Sequence, residues 1–375
     1  MNKRTISRLF LALFTAVFTA GAAILVLSAC TPGFGVFSEI QTEKAQVGTD
    51  IFKNATVKAL GEDGTNYYAV MGKVFYKPIS GGSWEVLAVN GSTNYFCGGF
   101  ASDGTSIYVA ALDKASTALK GIYEGTVGST VWSTAIDASA LGAETVDALF
   151  LAGTELFALS HSGTIPAYNL YHSSLLTLAP FTSTGLSGLA DPVLGVVWDS
   201  SNFWATTRSK AYKGAAGALT ESTPAGGKNF GGIAVDASNN VLLTTTDGNI
   251  YTYAGTWTSA VVDLDIGLGS LIEVPVNADA LNPYRLIIAK KDSSFGYFEY
   301  NATTSSAIIG NASGAIFAPA SSSYTTTVHQ KPVQAIHYSD VKKTILIGLA
   351  AQGTSTYALY SNAYSGGAWS GWTAE

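Results

Sequence analysis

Charge is what this sequence has least of. Asp, Glu, Lys and Arg make up 12% of its 375 residues, against 47% hydrophobic. That is too little Glu, Lys and Arg for a helical surface and too much apolar surface for a disordered chain. The first 29 residues carry Lys3, Arg4 and Arg8 and no acid, so the rest of the chain has a net charge of −9 and two arginines, Arg208 and Arg285. An acidic chain this poor in arginine makes a poor nucleic-acid binder. The two cysteines, Cys30 and Cys97, cannot supply a disulfide framework. Cys97 reads as a small buried residue on an inner strand, with a reactive thiol as the alternative. The four histidines, His161, His172, His329 and His337, show no ligand spacing, so neither a metal nor a cofactor is expected. No Gly-x-Ser-x-Gly elbow exists. Gly267 and Gly269 stand without the rest of a dinucleotide fingerprint.

What the chain does have is one phrase, rewritten many times. Phe230 to Trp257 sets short β-branched and aromatic runs between Asp-Ala-Ser-Asn, Asp-Gly and Ala-Gly-Thr turns, the pattern of a tight antiparallel meander. The second apolar run of each copy is anchored at Tyr67, Ile107, Leu156, Phe203, Val241, Leu286 and Ile345, at spacings of 40, 49, 47, 38, 45 and 59 residues. Turns such as Glu62-Asp63-Gly64-Thr65 and Asp103-Gly104-Thr105-Ser106 precede the anchors. Trp84, Trp132, Trp257 and Trp369 open closing strands. Even repeats of this length predict an all-β propeller of seven four-stranded blades, with six or eight as alternatives and a two-domain sandwich as the rival. Gly98-Gly99 and Gly231-Gly232 are expected on innermost strands, where backbones crowd the axis. The expected blades span about 52–90, 91–137, 140–183, 186–223, 225–263, 267–312 and 332–375 within a domain at 49–375. The Ser/Thr/Ala-rich stretch from Ala302 to Pro332 reads as a long connection or a degenerate hairpin.

The N-terminus places the chain in the cell. Met1–Arg8 is basic and Leu9–Leu27 is apolar, a signal peptide in outline, with a membrane span as the alternative. Leu27-Ser28-Ala29-Cys30 resembles the bacterial lipobox. The resemblance implies cleavage after residue 29, lipidation at Cys30, a tether at 30–48 and an envelope lipoprotein. With Thr31 after the cysteine, it also implies the outer membrane.

Two further resemblances concern the repeat. Thr246-Asp247-Gly248-Asn249-Ile250-Tyr251 resembles the Asp-Gly-x-Leu-Tyr phrase of quinoprotein-like propellers, which include an outer-membrane assembly lipoprotein. The turns at Ser83-Trp84 and Thr256-Trp257 are similar to the Asp-box of sialidase-like propellers without its Ser-x-Asp half. Sialidase chemistry, as that family performs it, needs three converging arginines, and this chain beyond its leader has two.

Asp63, Asp103, Asp199, Asp236 and Asp340 occupy first-hairpin turns, where Asp hydrogen-bonds its own backbone. Asp263-Leu264-Asp265-Ile266-Gly267 opens like a calcium loop but lacks the later ligands. The geometry of a meander running outward from the axis as strands a, b, c and d localises a ligand face. The b–c turns and d–a connections share one end of the ring, here called upper, and the a–b and c–d turns share the lower end. The candidate binding residues are therefore the b–c tips Asp113, Lys114, His161, Arg208, Lys210, Asp247, Lys291 and Asp292. The expected function is a lipid-anchored, non-enzymatic platform for a protein or glycan partner. A hydrolase or lyase acting on polysaccharide and an outer-membrane assembly scaffold are the alternatives.

Overall fold

A computed structural model describes residues 51–375 apart from 116–117, 128–131, 137, 142–143, 164–166, 178, 262–266, 276–283, 292–295, 302–305, 310–327, 329–330, 351–356 and 366. The leader, Cys30 and the tether lie outside the described residues, as do most of Ala302–Pro332 and the Asp263–Ile266 loop. Among the described residues no helix is long and apolar enough to cross a membrane.

The strands form seven antiparallel sheets, each built from consecutive strands. Blade 1 holds β1 (Ala59–Glu62), β2 (Asn66–Met71), β3 (Lys73–Pro78) and β4 (Glu85–Val86). Blade 2 holds β5 (Phe96–Ser102), β6 (Ile107–Leu112), β7 (Leu119–Gly125) and β8 (Ser133–Ile136). Blade 3 holds β9 (Thr145–Ala152), β10 (Glu155–Ser162), β11 (Ala167–Ser174) and β12 (Thr182–Ser183). Blade 4 holds β13 (Val193–Trp198), β14 (Phe203–Thr207), β15 (Ala211–Ala215) and β16 (Ala218–Glu221). Blade 5 holds β17 (Phe230–Val235), β18 (Val241–Thr245), β19 (Asn249–Tyr253) and β20 (Trp257–Val261). Blade 6 holds β21 (Gly267–Pro275), β22 (Tyr284–Lys291), β23 (Tyr297–Asn301) and β24 (Ser306–Ile309). Blade 7 holds β25 (Val333–Ser339), β26 (Thr344–Leu349), β27 (Leu359–Ser365) and β28 (Ala368–Trp369), with β29 (Thr373–Ala374) also paired to β27. Each innermost strand touches the next, and β25 touches β1, so the ring is closed. The protein is a seven-bladed β-propeller, and all seven anchor residues fall on second strands.

The burial pattern explains the sequence pattern. A second strand is covered on both faces by the neighbouring blades, and β2, β6, β14, β18 and β26 are buried along their whole length. Such strands read as continuous apolar runs rather than as alternation. The fourth strands face solvent, as Glu85 and the polar positions of β16 show. The apolar core is accordingly divided among the blade interfaces. Tyr68, Val70 and Val109 pack between blades 1 and 2, Phe157, Leu159 and Phe203 between blades 3 and 4, and Ile287, Tyr297, Ile345 and Trp372 between blades 6 and 7. Each fully buried side chain of this size contributes about 1.5–3 kcal/mol.

One turn recurs at the lower end. Asp63 Oδ1 accepts the amides of Thr65 (2.9 Å) and Asn66 (2.7 Å), while Oδ2 accepts the Tyr68 hydroxyl (2.5 Å). Asp103 repeats this with Thr105, Ser106 and Tyr108, and Asp199 with Ser201, Asn202 and the Trp204 indole (2.6 Å). Asp236 accepts from Ser238 and Asn240. An aspartate followed five residues on by a Tyr or Trp therefore ties the turn to the blade interior. Burial raises the Asp63, Asp103 and Asp199 carboxyls, but the donated hydrogen bonds win and hold all three below the ordinary value. Asp340 departs from the expectation. Its carboxylate pairs with Lys343 Nζ at 2.5 Å, and the Lys342 amide goes to Ser339 Oγ instead.

The seam between blades 7 and 1 closes the ring. The Phe52 carbonyl accepts from Ala358 N (2.8 Å), and Val57 N donates to Leu349 O (3.1 Å). The Glu375 carboxylate accepts from Lys77 Nζ (2.5 Å), the Trp84 indole (3.2 Å) and Ser361 Oγ (2.6 Å). Burial opposes its ionisation, yet these donors, Lys77 foremost, keep its pKa below the ordinary value.

Candidate functional site

The upper end is shaped by a recurring defect. Innermost strands β5, β9, β13, β17, β21 and β25 each skip a residue or two against their second strand near their start, whereas β1 does not. The skipped residues are Gly98, Asp147, Leu194, Gly231, Gly269 with Ser270, and Gln334. A bulge of this kind re-aims a side chain. At two of these positions there is no room for one. A Cβ on Gly98 would stand 2.4 Å from the Val146 carbonyl, and one on Gly231 would stand 1.8 Å from the Leu268 carbonyl. Close approach of the next blade thus explains the glycine pairs.

Blade 3 uses the same bulge differently. Asp147 is turned to the end of β10, where its Oδ2 meets His161 Nδ1 at 2.6 Å. His161 is buried, with the Tyr168 ring edge-on to it at 5.9 Å. Desolvation raises the Asp147 carboxyl, and the bond to His161 offsets this only in part. Beside the pair, Glu144 accepts hydrogen bonds from Ser160 Oγ, Asn169 Nδ2 (3.0 Å) and the Tyr171 hydroxyl (3.5 Å). Asp191, two residues beyond the Leu189–Tyr168 backbone pair, accepts from Ser209 Oγ at 3.3 Å. Blade 3 therefore gathers carboxylates, a histidine and tyrosines where β17 offers glycine.

The other sequence-derived candidates are distributed around this end. Asp113 caps its own turn through Ala115 N (2.9 Å) and pairs with Lys120 at 3.2 Å. Lys114 is exposed, with Nζ 6.0 Å from the Phe96 ring. Arg208 is exposed at the corner of blade 4, one residue beyond β14 and at the position that His161 holds in blade 3, and its carbonyl accepts from Phe230 N (2.7 Å). Lys210 is spent on Glu221 at 2.7 Å. Asp247 binds Lys228 Nζ (2.5 Å) and Asn249 Nδ2 (3.0 Å). These donors outweigh its partial burial and bring its pKa down to about 2. Lys291 ends β22, and both its side chain and Asp292 lie outside the described residues. Among the described residues no three His, Cys, Asp or Glu side chains are grouped as a metal site. Cys97 is buried on β5, its thiol directed to the Gly99 carbonyl at 3.2 Å and pushed by burial up to about 12.

The lower end holds two further histidine–carboxylate pairs absent from the sequence-derived set, one of them across the seam. His337 Nε2 of β25 lies 4.0 Å from Glu62 Oε1 of β1, across the seam. Among the described residues neither His337 Nε2 nor Glu62 Oε2 has a hydrogen-bond partner. Burial lowers His337 to about 4 and raises Glu62. His172 is fully engaged by comparison, between Glu155 (2.9 Å) and Thr182 (2.9 Å).

These features define a β-propeller with one regular and one irregular end, and solved propellers are similar to it. They include a GH74 enzyme from Niastella koreensis (TM-score 0.59, 14% identity, 88% of this chain and 54% of that one). The extracellular domain of a putative one-component system from B. thetaiotaomicron is also similar (0.56, 15%, 86% and 40%), as is YCF48 bound to a D1 peptide (0.55, 11%, 83% and 94%). Likeness at these identities establishes the fold alone. No family model matches the chain, and no curated protein matches its sequence.

Proposed function

We propose that this propeller is a non-enzymatic binding platform, anchored to a bacterial envelope through a lipid on Cys30, that engages a protein or glycan partner with its upper end. The observation that carries this reading is the contrast between the ends. Four blades repeat one aspartate-capped turn below, whereas above each corner has its own chemistry: Lys114, His161 with Asp147, Arg208 and Asp247. Conformation needs the lower residues, whereas above only Asp113 and Asp247 are bonded within their own turns. The fold by itself supports many functions, so the reading rests on these corners. Replacing Arg208 and Lys210 together by alanine is expected to weaken the partner's binding about tenfold or more with an unchanged melting curve. Equal affinity would overturn the assignment. Protease treatment of intact cells separates a surface platform, which is clipped, from a periplasmic one, which is spared.

One observation favours a second reading, a polysaccharide hydrolase or lyase. A carboxylate raised by burial and bonded to a histidine is the kind of pair that moves protons. If so, Asp147→Asn abolishes release of oligosaccharides while partner binding through Arg208 survives. Wild-type protein inert toward envelope and host polysaccharides removes this reading.

A further inference from the structure

Near the lower end of blade 3, three polar side chains stand in a row on successive strands. Glu155 of β10, His172 of β11 and Thr182 of β12 share the face turned toward blade 4. The strand register sets His172 opposite both Phe157 and Thr182. His172 Nδ1 lies 2.9 Å from Glu155 Oε2, and its Nε2 lies 2.9 Å from Thr182 Oγ1. A carboxylate only accepts, so the neutral ring carries its proton on Nδ1, and Nε2 accepts from the hydroxyl. The Glu155 and His172 side chains are 14% and 18% exposed, whereas Thr182 is open to solvent.

The outer strand does not depend on this network for its place. Thr184 donates its amide (3.1 Å) and its hydroxyl (2.8 Å) to the Leu170 carbonyl, and its own carbonyl accepts from Leu219 N of blade 4 (3.0 Å). The space beside Nε2 is meanwhile kept open. A Cβ on Gly217, in the hairpin between β15 and β16, would stand 3.3 Å from His172 Nε2, and apart from its chain neighbours no other atom comes within 4 Å. The Gly217 amide donates to no described residue. The Phe157 ring, 6.1 Å from the His172 ring, walls the inner side.

We infer that Thr182, His172 and Glu155 form a triad that hydrolyses short-chain carboxylic esters at the rim between blades 3 and 4. A hydroxyl within bonding reach of a base, with the base held by a third group, is the arrangement that activates a nucleophile. Thr182 Oγ1 adds to the ester carbonyl carbon while its proton passes to His172 Nε2. The tetrahedral adduct collapses, the acyl C–O bond breaks, and the alcohol leaves with that proton. Water then gives a proton to Nε2 and adds to the acyl-threonine, which releases the carboxylic acid as the proton returns to Oγ1. Glu155 is a positioning residue, since it holds the ring and meets no substrate. An ester asks least of an open rim, because an alcohol leaves more readily than an amine. The bare Gly217 face admits a short acyl group beside Nε2, and the alcohol part extends into solvent. This activity sits at the opposite end from the ligand face and goes beyond the platform reading.

The test is turnover of p-nitrophenyl acetate by the full chain in detergent, with acid-quenched samples digested and mapped by mass spectrometry for acetylated residues. Saturable turnover and an acetyl group on Thr182 are expected. Thr182→Val should cut kcat about a hundredfold or more with an unchanged melting curve. Thr182→Ser keeps the hydroxyl and should be far faster than the valine variant. Glu155→Gln should lower kcat about a hundredfold with KM unchanged, whereas a merely structural role would move the melting temperature and leave kcat. Turnover by Thr182→Val equal to wild type, acetyl found only on His172 or lysines, or p-nitrophenyl octanoate turned over as fast as the acetate would each overturn the proposal. The Arg208–Lys210 test of the platform does not depend on any of these outcomes.

Discussion

Two of the histidine–carboxylate pairs, Asp147–His161 and Glu62–His337, are the same chemistry at opposite ends of one ring. At the upper end Asp147 and His161 meet within a single blade at 2.6 Å, aimed by a bulge. At the lower end Glu62 and His337 come from different blades, stand 4.0 Å apart, and leave buried nitrogen and oxygen without partners. A pair made inside a blade is set by that blade's own register. A pair made across the seam exists only because the ring closed. The first is a candidate for recognition, and the second reports on assembly.

The sharpest way to break the contrast between ends is steric. Gly231→Ala puts a methyl into the Leu268 carbonyl, backbone against backbone, and should cost about 3 kcal/mol or more. Leu194→Ala, at the same bulge position in blade 4, should cost less than about 1 kcal/mol because it removes side chain rather than adding it. Urea unfolding of both variants checks this, and equal midpoints would remove the crowding argument.

Next in size is Asp63→Ala. It strands the Thr65 and Asn66 amides and the buried Tyr68 hydroxyl, which should cost about 2–3 kcal/mol. Asp113→Ala at an upper corner should cost under about 1 kcal/mol, measured the same way.

The lower pair predicts a pH signature. His337 is neutral in the folded ring, with a pKa of about 4 against an ordinary 6.5. The unfolded chain therefore binds the extra proton between those values, and this contribution to stability falls as pH drops from about 6.5 to 4. Glu62, raised by burial, works in the opposite sense, since the folded state takes up its proton more readily. Relative to wild type, His337→Leu should flatten the acid-side loss of stability and Glu62→Gln should steepen it. Identical melting-temperature profiles against pH in all three proteins would contradict the burial. The clasp predicts a small effect. Lys77→Met leaves Glu375 with Trp84 and Ser361, and should lower stability by about 1 kcal/mol, most visibly above the Glu375 pKa.

The blade count was legible because every blade repeats the same demand: a second strand covered on both faces shows as an unbroken apolar run, and Tyr67, Ile107 and Leu156 mark it. The corners were legible only as places. His161 and Arg208 stood out as charges in turns, but Asp147 lies inside the run Thr-Val-Asp-Ala, and only the skipped register turns it to His161. An aspartate in a strand where no turn needs one was the available signal. Glu62 looked like part of a routine turn. Its partner lies 275 residues away and arrives only with closure.

That closure has a mechanical side. Among the described residues, the segment ahead of blade 1 makes its backbone bonds to blade 7, Phe52 with Ala358 and Val57 with Leu349, before any strand of blade 1 begins. Tension transmitted from the preceding segment therefore reaches the seam first. The bonds it strains are those that hold the first and last blades together, with the Lys77–Glu375–Trp84 clasp next along the same boundary. A pull on the chain ahead of Phe52 would be felt as a strain on circularity, while the interfaces among blades 2 to 6 stayed at rest.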